Sequence, residues 1–393
     1  MQTICFHFQL SQLYRLRTYR FFDINEKHDY FDDFQNQYIT TRLAERCYLP
    51  ANQMLLELSE ELGDKMKCSF SIAGSSLELF RKYRPEVIHS FQKLLNSNVV
   101  EIVGNTYAHS LASLYNKSTF LEQVDRQKRL LKEIFDIEPI AFCNTEEIYS
   151  DEIGEWLYED GYKIVLTEGA KHILGWKNPG YLYCNPYQPD LQLMLRNFSL
   201  SEDIEYRFSS RSWDQFPLTA EKFMDFLKTT PQDVPMINII IDYETIGEFH
   251  TAETGIFDFF KSLFRMLANS TDFRLVSPSD VLAMNMKPAT LHVPWPISSS
   301  SDEKDVSEWI GNELQEEAFK QLFKLEEYYA ASKNEEAKKA WLHLQGADHF
   351  NYMATRWFPN QSVKKNFEVY SSPYQAFINF MNVVNDIELQ LKK

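Results

Sequence analysis

The sequence has few glycines, few cysteines and no excess of positive charge. Its 393 residues include 12 Gly and 5 Cys, and the formal net charge is −16. A protein this acidic is a poor partner for nucleic acid or an anionic membrane, since both require a basic face. It suits a neutral ligand. The odd, scattered cysteines contain no C-x-x-C pair, which excludes a zinc ribbon and favours a reducing compartment over a disulfide framework.

Long apolar runs and the signatures of several enzyme classes are also missing. No stretch approaches the length of a transmembrane helix, and Arg15, Arg17 and Arg20 interrupt the N-terminal region where a signal peptide is apolar. We therefore expect a cytoplasmic protein. The sequence contains no G-x-S-x-G, Walker or G-x-G-x-x-G motif, so acyl transfer, phosphoryl transfer and dinucleotide chemistry are unsupported. Because it also lacks H-x-H and H-E-x-x-H, we expect no metal and no cofactor.

Aromatic residues, in contrast, are abundant. They form 15% of the chain, with 21 Tyr and 30 Phe. Most of these rings are expected in the core, but exposed Tyr and Trp rings also suit sugar binding, because a ring face stacks on the apolar face of a pyranose.

Apolar runs alternate with amphipathic stretches over residues 1–285. The predicted strands are Thr3–Gln9, Lys67–Ile72, Val99–Gly104, Ile140–Asn144, Lys163–Thr167 and Met236–Asp242. The stretches between them have helical periodicity, and this alternation indicates a largely parallel sheet, closed or doubly wound. Acidic residues at the ends of two predicted strands favour the closed form, an α/β barrel with its acids at one rim.

The composition changes near residue 286. Lys287–Pro296 is rich in proline, and Ser298–Ser301 is a run of serines, so we expect an extended linker there. Beyond it, Asp305–Tyr329, Glu335–Leu344 and Pro373–Leu391 have helical periodicity. We predict two domains: a barrel over residues 1–285, and a linker and C-terminal α-helical bundle over residues 286–393 that contributes to the cleft.

Two carboxylates are the strongest candidates for chemistry. Glu146 follows the predicted strand at Ile140–Asn144, and Asp242 ends the strand at Met236–Asp242, with Glu244 two positions further on the same side. Crowding and burial disfavour ionisation, so one acid is expected to have a raised pKa and to act as a proton donor. Two such acids are the minimum needed to cleave a glycosidic bond. The alternatives are a helix cap for Asp242 and a turn role for Glu146.

The segments that carry these acids resemble glycoside hydrolase family 57, and the resemblance covers essentially the whole chain. In the family's order, the matching segments are Val100–Leu111, Asn144–Glu146, Ile204–Trp213, Asp242–Glu248 and Asp348–Met353. Asp242–Glu248 is the most specific. The resemblance implies an incomplete (β/α)7 barrel followed by an α-helical bundle, and cleavage of α-glucans with retention of configuration. It implies that Glu146 is the nucleophile and that Asp242 is the acid/base.

The resemblance also implies a set of substrate-binding residues. These are Gln12, Glu101, His109, Arg207, Glu244, Asp348 and His349, with Trp213 and Trp357 as stacking platforms. The partner implied is an α-glucan oligosaccharide or polysaccharide. A retaining mechanism requires the two catalytic carboxyl groups to lie about 5–5.5 Å apart. The sequence does not indicate an oligomeric state.

Several positions depart from the family's pattern. Ser11 replaces a histidine, Asn105 a glutamate and Asn351 an aromatic residue, and Ser298–Ser301 replaces a segment with a Trp and an Asp. Each change removes a sugar contact. Two interpretations remain open: an enzyme with a reshaped pocket, either a hydrolase or a 4-α-glucanotransferase, and a homologue that binds glycans without hydrolysing them. A metal-dependent polysaccharide deacetylase is a third, but the motifs do not supply its Asp and two His.

Overall fold

A computed structural model describes residues 1–300, 302–356 and 370–393. The strands are β1 (Gln2–Leu10), β2 (Cys68–Ile72), β3 (Val100–Val103), β4 (Ala141–Cys143), β5 (Ile164–Glu168), β6 (Tyr183–Cys184), β7 (Gln192–Arg196), β8 (Met236–Asp242), β9 (Phe273–Leu275) and β10 (Ala289–Thr290). Seven of them, β1, β2, β3, β4, β5, β7 and β8, pair in parallel in that order, and β8 pairs with β1. The predicted seven-stranded α/β barrel is confirmed.

Two junctions of this barrel are thin. β3 joins β4 through a single bridge between Gly104 and Phe142, and β7 joins β8 through the single pair Arg196 and Asn238. Gly104 allows the first junction to close, because a Cβ there would lie 2.6 Å from the Tyr162 hydroxyl. Near these short junctions, polar groups of the barrel interior lie close to the pocket described below.

Helices cover the outside of the barrel. Those of eight or more residues are Asp33–Leu43, Leu49–Leu62, Gly74–Tyr83, Pro85–Asn96, Lys117–Phe135, Asp151–Glu159, Phe198–Glu205, Ala220–Lys228 and Ile256–Ala268. Polar caps mark where several begin: Asn116, Ser150 and Asn197 each accept a hydrogen bond from a backbone N–H in the first turn. In the described part of the chain, no helix combines the length and apolarity needed to cross a membrane.

The C-terminal part is helical. Within the described residues, its helices are Ser307–Ile310, Glu313–Lys324, Glu326–Tyr329, Glu335–Leu344, Ala347–Asn351 and Pro373–Leu391. They pack on the barrel through specific contacts: the Ser110 hydroxyl donates to the Gln345 side chain at 3.1 Å, and the Tyr19 N–H donates to the Asn379 side chain at 2.6 Å. The predicted helical region is therefore present.

The segment predicted as an extended linker is held along the barrel. β10 pairs with β6, Ile297 pairs with Tyr149, and the Ser299 N–H donates to the carbonyl of Glu146 at 3.0 Å. Residues 289–299 therefore belong structurally to the rim. The boundary at residue 286 remains a prediction.

Candidate active site

A pocket opens where β1, β4 and β8 end. Its lining residues are Ser11, Gln12, Arg15, Glu146, Asp242, Glu244, Phe249, Asp348, Asn351 and Tyr352. The first three follow β1, Glu146 follows β4, Asp242 ends β8, and the last three come from the C-terminal helical part. The carboxyl ends of parallel barrel strands meet at one rim, which is where barrel enzymes place their sites. The fold thus brings both predicted catalytic acids into one pocket, together with Gln12, Glu244 and Asp348.

The cavity itself is small. Its volume is about 40 Å³. One water molecule requires roughly 10–15 Å³ by this measure, so the cavity has space for about three waters. A sugar ring requires the lining side chains to move apart.

Glu146 sits in an unusual backbone conformation. Its φ and ψ are 49° and 37°, and Glu147 also has a positive φ, of 52°. Two consecutive non-glycine residues in the left-handed region are uncommon, and such strain persists only where surrounding contacts impose it. The Ser299 N–H and hydroxyl supply such contacts by donating to the Glu146 carbonyl at 3.0 and 3.2 Å. Strain held in this way is typical of functional sites.

His109 contacts the Glu146 side chain directly. Its Nε2 lies 3.2 Å from Glu146 Oε1, and its own φ is 51°. The His109 carbonyl accepts from the N–H of Ala347 at 2.9 Å, so the C-terminal helices help to fix the imidazole. His109, predicted as a substrate-binding residue, is not among the residues that line the pocket but contacts a candidate catalytic acid.

Glu244 is a pocket acid with a raised pKa. It is buried, and burial raises its pKa to about 7, against hydrogen bonds from Tyr48 and Gln12 that favour the charged form. These donors lie 2.5 and 2.9 Å from Glu244 Oε1. Gln12 in turn accepts from Arg15 at 2.9 Å. One acid of the Asp242–Glu244 pair therefore has the elevated pKa that the sequence predicted.

A second acid, Glu147, lies inside the barrel beside Glu146. Burial raises its pKa to about 8, and Arg196 opposes that effect. The Gln9 side chain donates a hydrogen bond to its carboxyl group. A neutral Glu147 reduces the negative charge next to Glu146, which makes ionisation of Glu146 easier.

Arg196 is the centre of a buried charged cluster beneath the pocket. Its guanidinium donates to Glu168 at 2.9 Å and to Glu205 at 3.0 Å, and its Nε donates to the Ile240 carbonyl at 2.9 Å. Burial alone would lower the pKa of Arg196, but Glu168, Glu205 and Glu147 raise it above its ordinary value. Glu205 Oε1 accepts from the backbone N–H of Asp242 at 3.0 Å. The cluster thus reaches the candidate acid/base.

These geometric features can be compared with known proteins. Residues 5–294 match the family model described as glycosyl hydrolase family 57. A protein from Methanocaldococcus jannaschii named "Putative alpha-amylase" is 34% identical over 407 residues, which cover 99% of this chain and 85% of that protein. The chain belongs to glycosyl hydrolase family 57. It is a glycoside hydrolase.

Solved structures with the same fold have low sequence identity to this family member. The 4-α-glucanotransferase from Thermococcus litoralis is 15% identical with a TM-score of 0.68, covering 89% of this chain and 56% of the transferase. A family 57 branching enzyme from Thermococcus kodakaraensis is 12% identical with a TM-score of 0.68, covering 90% and 86%. At these identities the likeness establishes the fold. The chain spans little more than half of the transferase.

Some of the family-implied binding residues lie away from this pocket. Arg207 pairs with Glu202 at 2.9 Å and with Asp203, and Trp213 packs edge-on to Phe226 at a ring distance of 6.5 Å. Both belong to the segment that follows the helix Phe198–Glu205. Neither is among the residues that line the pocket.

Glu101 and His349 are also placed elsewhere. Glu101 accepts from the N–H of Ser279 at 3.0 Å and from its hydroxyl at 2.7 Å, so it fastens the helix Pro278–Ala283 to the barrel. His349 is buried in the C-terminal helical part, with its ring 5.7 Å from that of Phe380. Burial lowers the pKa of His349 to about 3, and its Nε2 has no hydrogen-bond partner. These side chains were predicted as sugar contacts from their positions in the motifs. Motif position does not reveal which way a side chain points. Trp357 lies outside the described residues.

The departures from the family's pattern fall into two groups. Ser11 and Asn351 line the pocket. Asn105 is buried, does not line the pocket, and has no hydrogen-bond partner for its Oδ1. Ser299 contacts the Glu146 backbone, as described above. The serine run therefore gives backbone support to Glu146.

Metal-binding geometry is not evident in the part of the chain that the structure describes. Within those residues, no group of three or more His, Cys, Asp or Glu side chains is arranged to hold a metal ion. His7 is an example of a histidine in the core: it hydrogen-bonds Ser69 and Ser71 inside the barrel at 2.9 and 3.1 Å. This is the core role that the sequence favours for a histidine on an apolar strand.

Proposed function

We propose that this protein is a retaining glycoside hydrolase of α-glucans, with Glu146 as the nucleophile and Asp242 as the acid/base. The observation that carries the proposal is that both carboxylates line one rim pocket in a family 57 chain. The name of the Methanocaldococcus jannaschii relative supports α-glucan as the substrate class. Glucanotransferase and branching activities in proteins of the same fold point the same way.

The proposed reaction has two steps. Glu146 attacks the anomeric carbon while protonated Asp242 gives its proton to the departing glycosidic oxygen, which forms a covalent glycosyl-enzyme. Asp242, now ionised, then takes a proton from water as the water attacks the anomeric carbon and releases Glu146. Two inversions at that carbon give net retention.

The surroundings of Glu146 suit a nucleophile. His109 Nε2 lies 3.2 Å from one carboxylate oxygen, and a donated N–H there stabilises the ionised form and orients the group. The neighbouring Glu147 and Glu205 both have raised pKa values because of burial, which favours their neutral forms.

The proposal is tested by following hydrolysis of maltooligosaccharides and α-glucosyl fluoride by proton NMR. Wild type should release the α-anomer first. Glu146→Gln should abolish the reaction of both donors, whereas Asp242→Asn should spare the first step with the fluoride more than the first step with maltooligosaccharides, because fluoride leaves with little proton donation. Matched controls are Glu152→Gln and Asp125→Asn, which make the same changes at exposed positions. Release of the β-anomer first, or full activity in Glu146→Gln, would contradict the proposal.

A second candidate function is glycan binding without hydrolysis. The altered residues Ser11 and Asn351 line the pocket, and its volume of about 40 Å³ leaves little room for a sugar. This candidate predicts saturable binding of maltooligosaccharides, unchanged by Glu146→Gln, with no turnover of any donor. Longer oligosaccharides formed from maltooligosaccharides with no net gain in reducing ends, in the same NMR experiment, would instead identify a 4-α-glucanotransferase.

The cellular location follows from the thiols. All five cysteines are free and buried. A chain that uses no disulfides suits a reducing compartment. We therefore propose a cytoplasmic location.

A further inference from the structure

The backbones of the two candidate catalytic residues are joined by a continuous set of buried and partly buried polar contacts. The contacts pass through Ser299, Lys304, Glu168, Arg196 and Glu205, and sequence patterns singled out only the serine run that contains Ser299. We define these five residues as the frame. Neither the proposed nucleophilic attack nor the proton transfer makes direct use of them.

The first arm of the frame, formed by Ser299 and Lys304, supports Glu146. Ser299 donates to the Glu146 carbonyl through both its N–H and its hydroxyl, at 3.0 and 3.2 Å. Lys304 Nζ donates to the Ser299 carbonyl at 3.0 Å and pairs with Glu202 at 3.1 Å. Lys304 is 9% exposed, and its φ is 55°. Lys304, nearly buried and in a left-handed conformation, thus holds Ser299, which in turn donates to the carbonyl of the strained Glu146.

The second arm of the frame, formed by Arg196 and Glu205, supports Asp242. Arg196 donates to Glu205 at 3.0 Å, and Glu205 accepts from the Asp242 N–H at 3.0 Å. Arg196 also donates to the carbonyl of Ile240, two residues before Asp242 on β8, at 2.9 Å. Arg196 is 2% exposed and Glu205 is 4% exposed. A charged side chain therefore holds the end of β8 at two points, where β7 and β8 share only one pair.

Glu168 connects the arms. It accepts from Arg196 at 2.9 Å, and its carboxylate lies 3.9 Å from Lys304 Nζ. Its side chain is fully buried. Removing one partner from a buried network leaves the other charges uncompensated and displaces them.

We infer that Arg196 and Lys304 are positioning residues that set the relative placement of Asp242 and Glu146. The inference rests on the proposed function, because it assigns distinct effects to each arm of that mechanism. Loss of the Arg196 arm displaces the proton donor, and loss of the Lys304 arm displaces the nucleophile. Proton donation matters for a poor leaving group and little for fluoride. Loss of the Arg196 arm should therefore depend on the leaving group, whereas loss of the Lys304 arm should affect both donors.

The test compares Arg196→Met and Lys304→Met with wild type on maltooligosaccharides and on α-glucosyl fluoride. For Arg196→Met we expect kcat/KM, which reports the bond-cleaving step, to fall about 100-fold on maltooligosaccharides and less than about 10-fold on the fluoride. For Lys304→Met we expect a fall of about 10-fold or more on both donors. In both variants KM should change less than about threefold, because the substrate-facing groups remain.

Controls separate positioning from stability. Arg196→Lys keeps the charge but not the two-carboxylate fork, so its kcat should lie between those of wild type and Arg196→Met. Asp386→Asn weakens a buried cluster that contacts His28 at 2.8 Å and Tyr30 at 2.5 Å. It should lower the melting temperature while leaving the ratio of kcat/KM on maltooligosaccharides to kcat/KM on the fluoride unchanged. If Arg196→Met does not fold, Glu205→Met removes the acceptor for the Asp242 N–H and should show the same dependence on leaving group.

The outcomes are distinct. If wild type turns over both donors but Arg196→Met and Lys304→Met change both rates equally, in line with lost stability, the positioning role is wrong and the proposed function stands. If wild type turns over no donor, the proposed function fails, and the positioning role fails with it. Dependence on leaving group in the Arg196 arm alone supports the inference.

Discussion

Glu147 provides a sharp test of the electrostatics, because its burial and its cationic neighbour act in opposite directions. Burial dominates and raises its pKa to about 8 from 4.5. Between these values the unfolded chain is ionised at this position while the folded chain keeps the proton. The free energy of unfolding therefore falls by about 1.4 kcal/mol per pH unit across the window. The stabilisation is complete below pH 4.5 and lost as the pH rises through about 8.

Glu147→Gln removes this titration while preserving the acceptor for Gln9. We expect the variant and wild type to have similar stability near pH 5, and the variant to be more stable by about 2–5 kcal/mol at pH 8.5, where the upper value is the full linkage term. The assay is urea-induced unfolding at half-unit steps from pH 5 to 8.5, followed by tryptophan fluorescence. Glu152→Gln, at an exposed position, should give no such trend. A difference that is flat or reversed with pH would mean that Arg196 keeps Glu147 ionised, which would refute the reasoning.

Three further predictions concern residues near and away from the pocket. His109→Ala removes the 3.2 Å contact to Glu146 and should lower kcat about 10–100-fold with little change in the melting temperature. Glu101→Gln weakens the hydrogen bonds from Ser279. The free energy of unfolding should therefore fall by about 1–2 kcal/mol, with kcat and KM unchanged. His349→Leu replaces a buried imidazole that has an unpartnered nitrogen, so KM should be unchanged and the stability equal or higher; a raised KM would restore His349 as a sugar contact.

The elements of the barrel were largely predictable because buried parallel strands have a strong local signal. Met236–Asp242 was predicted with both its ends as observed, and so was the last helix, Pro373–Leu391. β7 (Gln192–Arg196) was missed, although its Leu193–Leu195 core is apolar. Its short length and its polar flanks give a weak pattern, and its role becomes clear only from its pairing with β5.

The candidate site was predictable where a residue follows a strand end, and not where its role depends on a long-range contact. Glu146 and Asp242 follow strand ends and line the pocket. Arg196 also ends a strand, which is the one signal that could have indicated it. Ser299 was interpreted as part of a linker, because nothing local to a serine run indicates that it will bind the backbone of a residue 153 positions away. Glu101 is the opposite case: it lies in a segment that resembles a family motif, yet it does not line the pocket.

The most direct test of the central claim is to trap the glycosyl-enzyme. Asp242→Asn lacks the base for the second step, so incubation with α-glucosyl fluoride should accumulate a covalent adduct. We predict an intact mass increased by one glucosyl unit, mapped by peptide mass spectrometry to Glu146, and no adduct in the double variant with Glu146→Gln. An adduct on another carboxylate such as Glu244, or none from any donor that wild type hydrolyses, would contradict the assignment of Glu146 as the nucleophile.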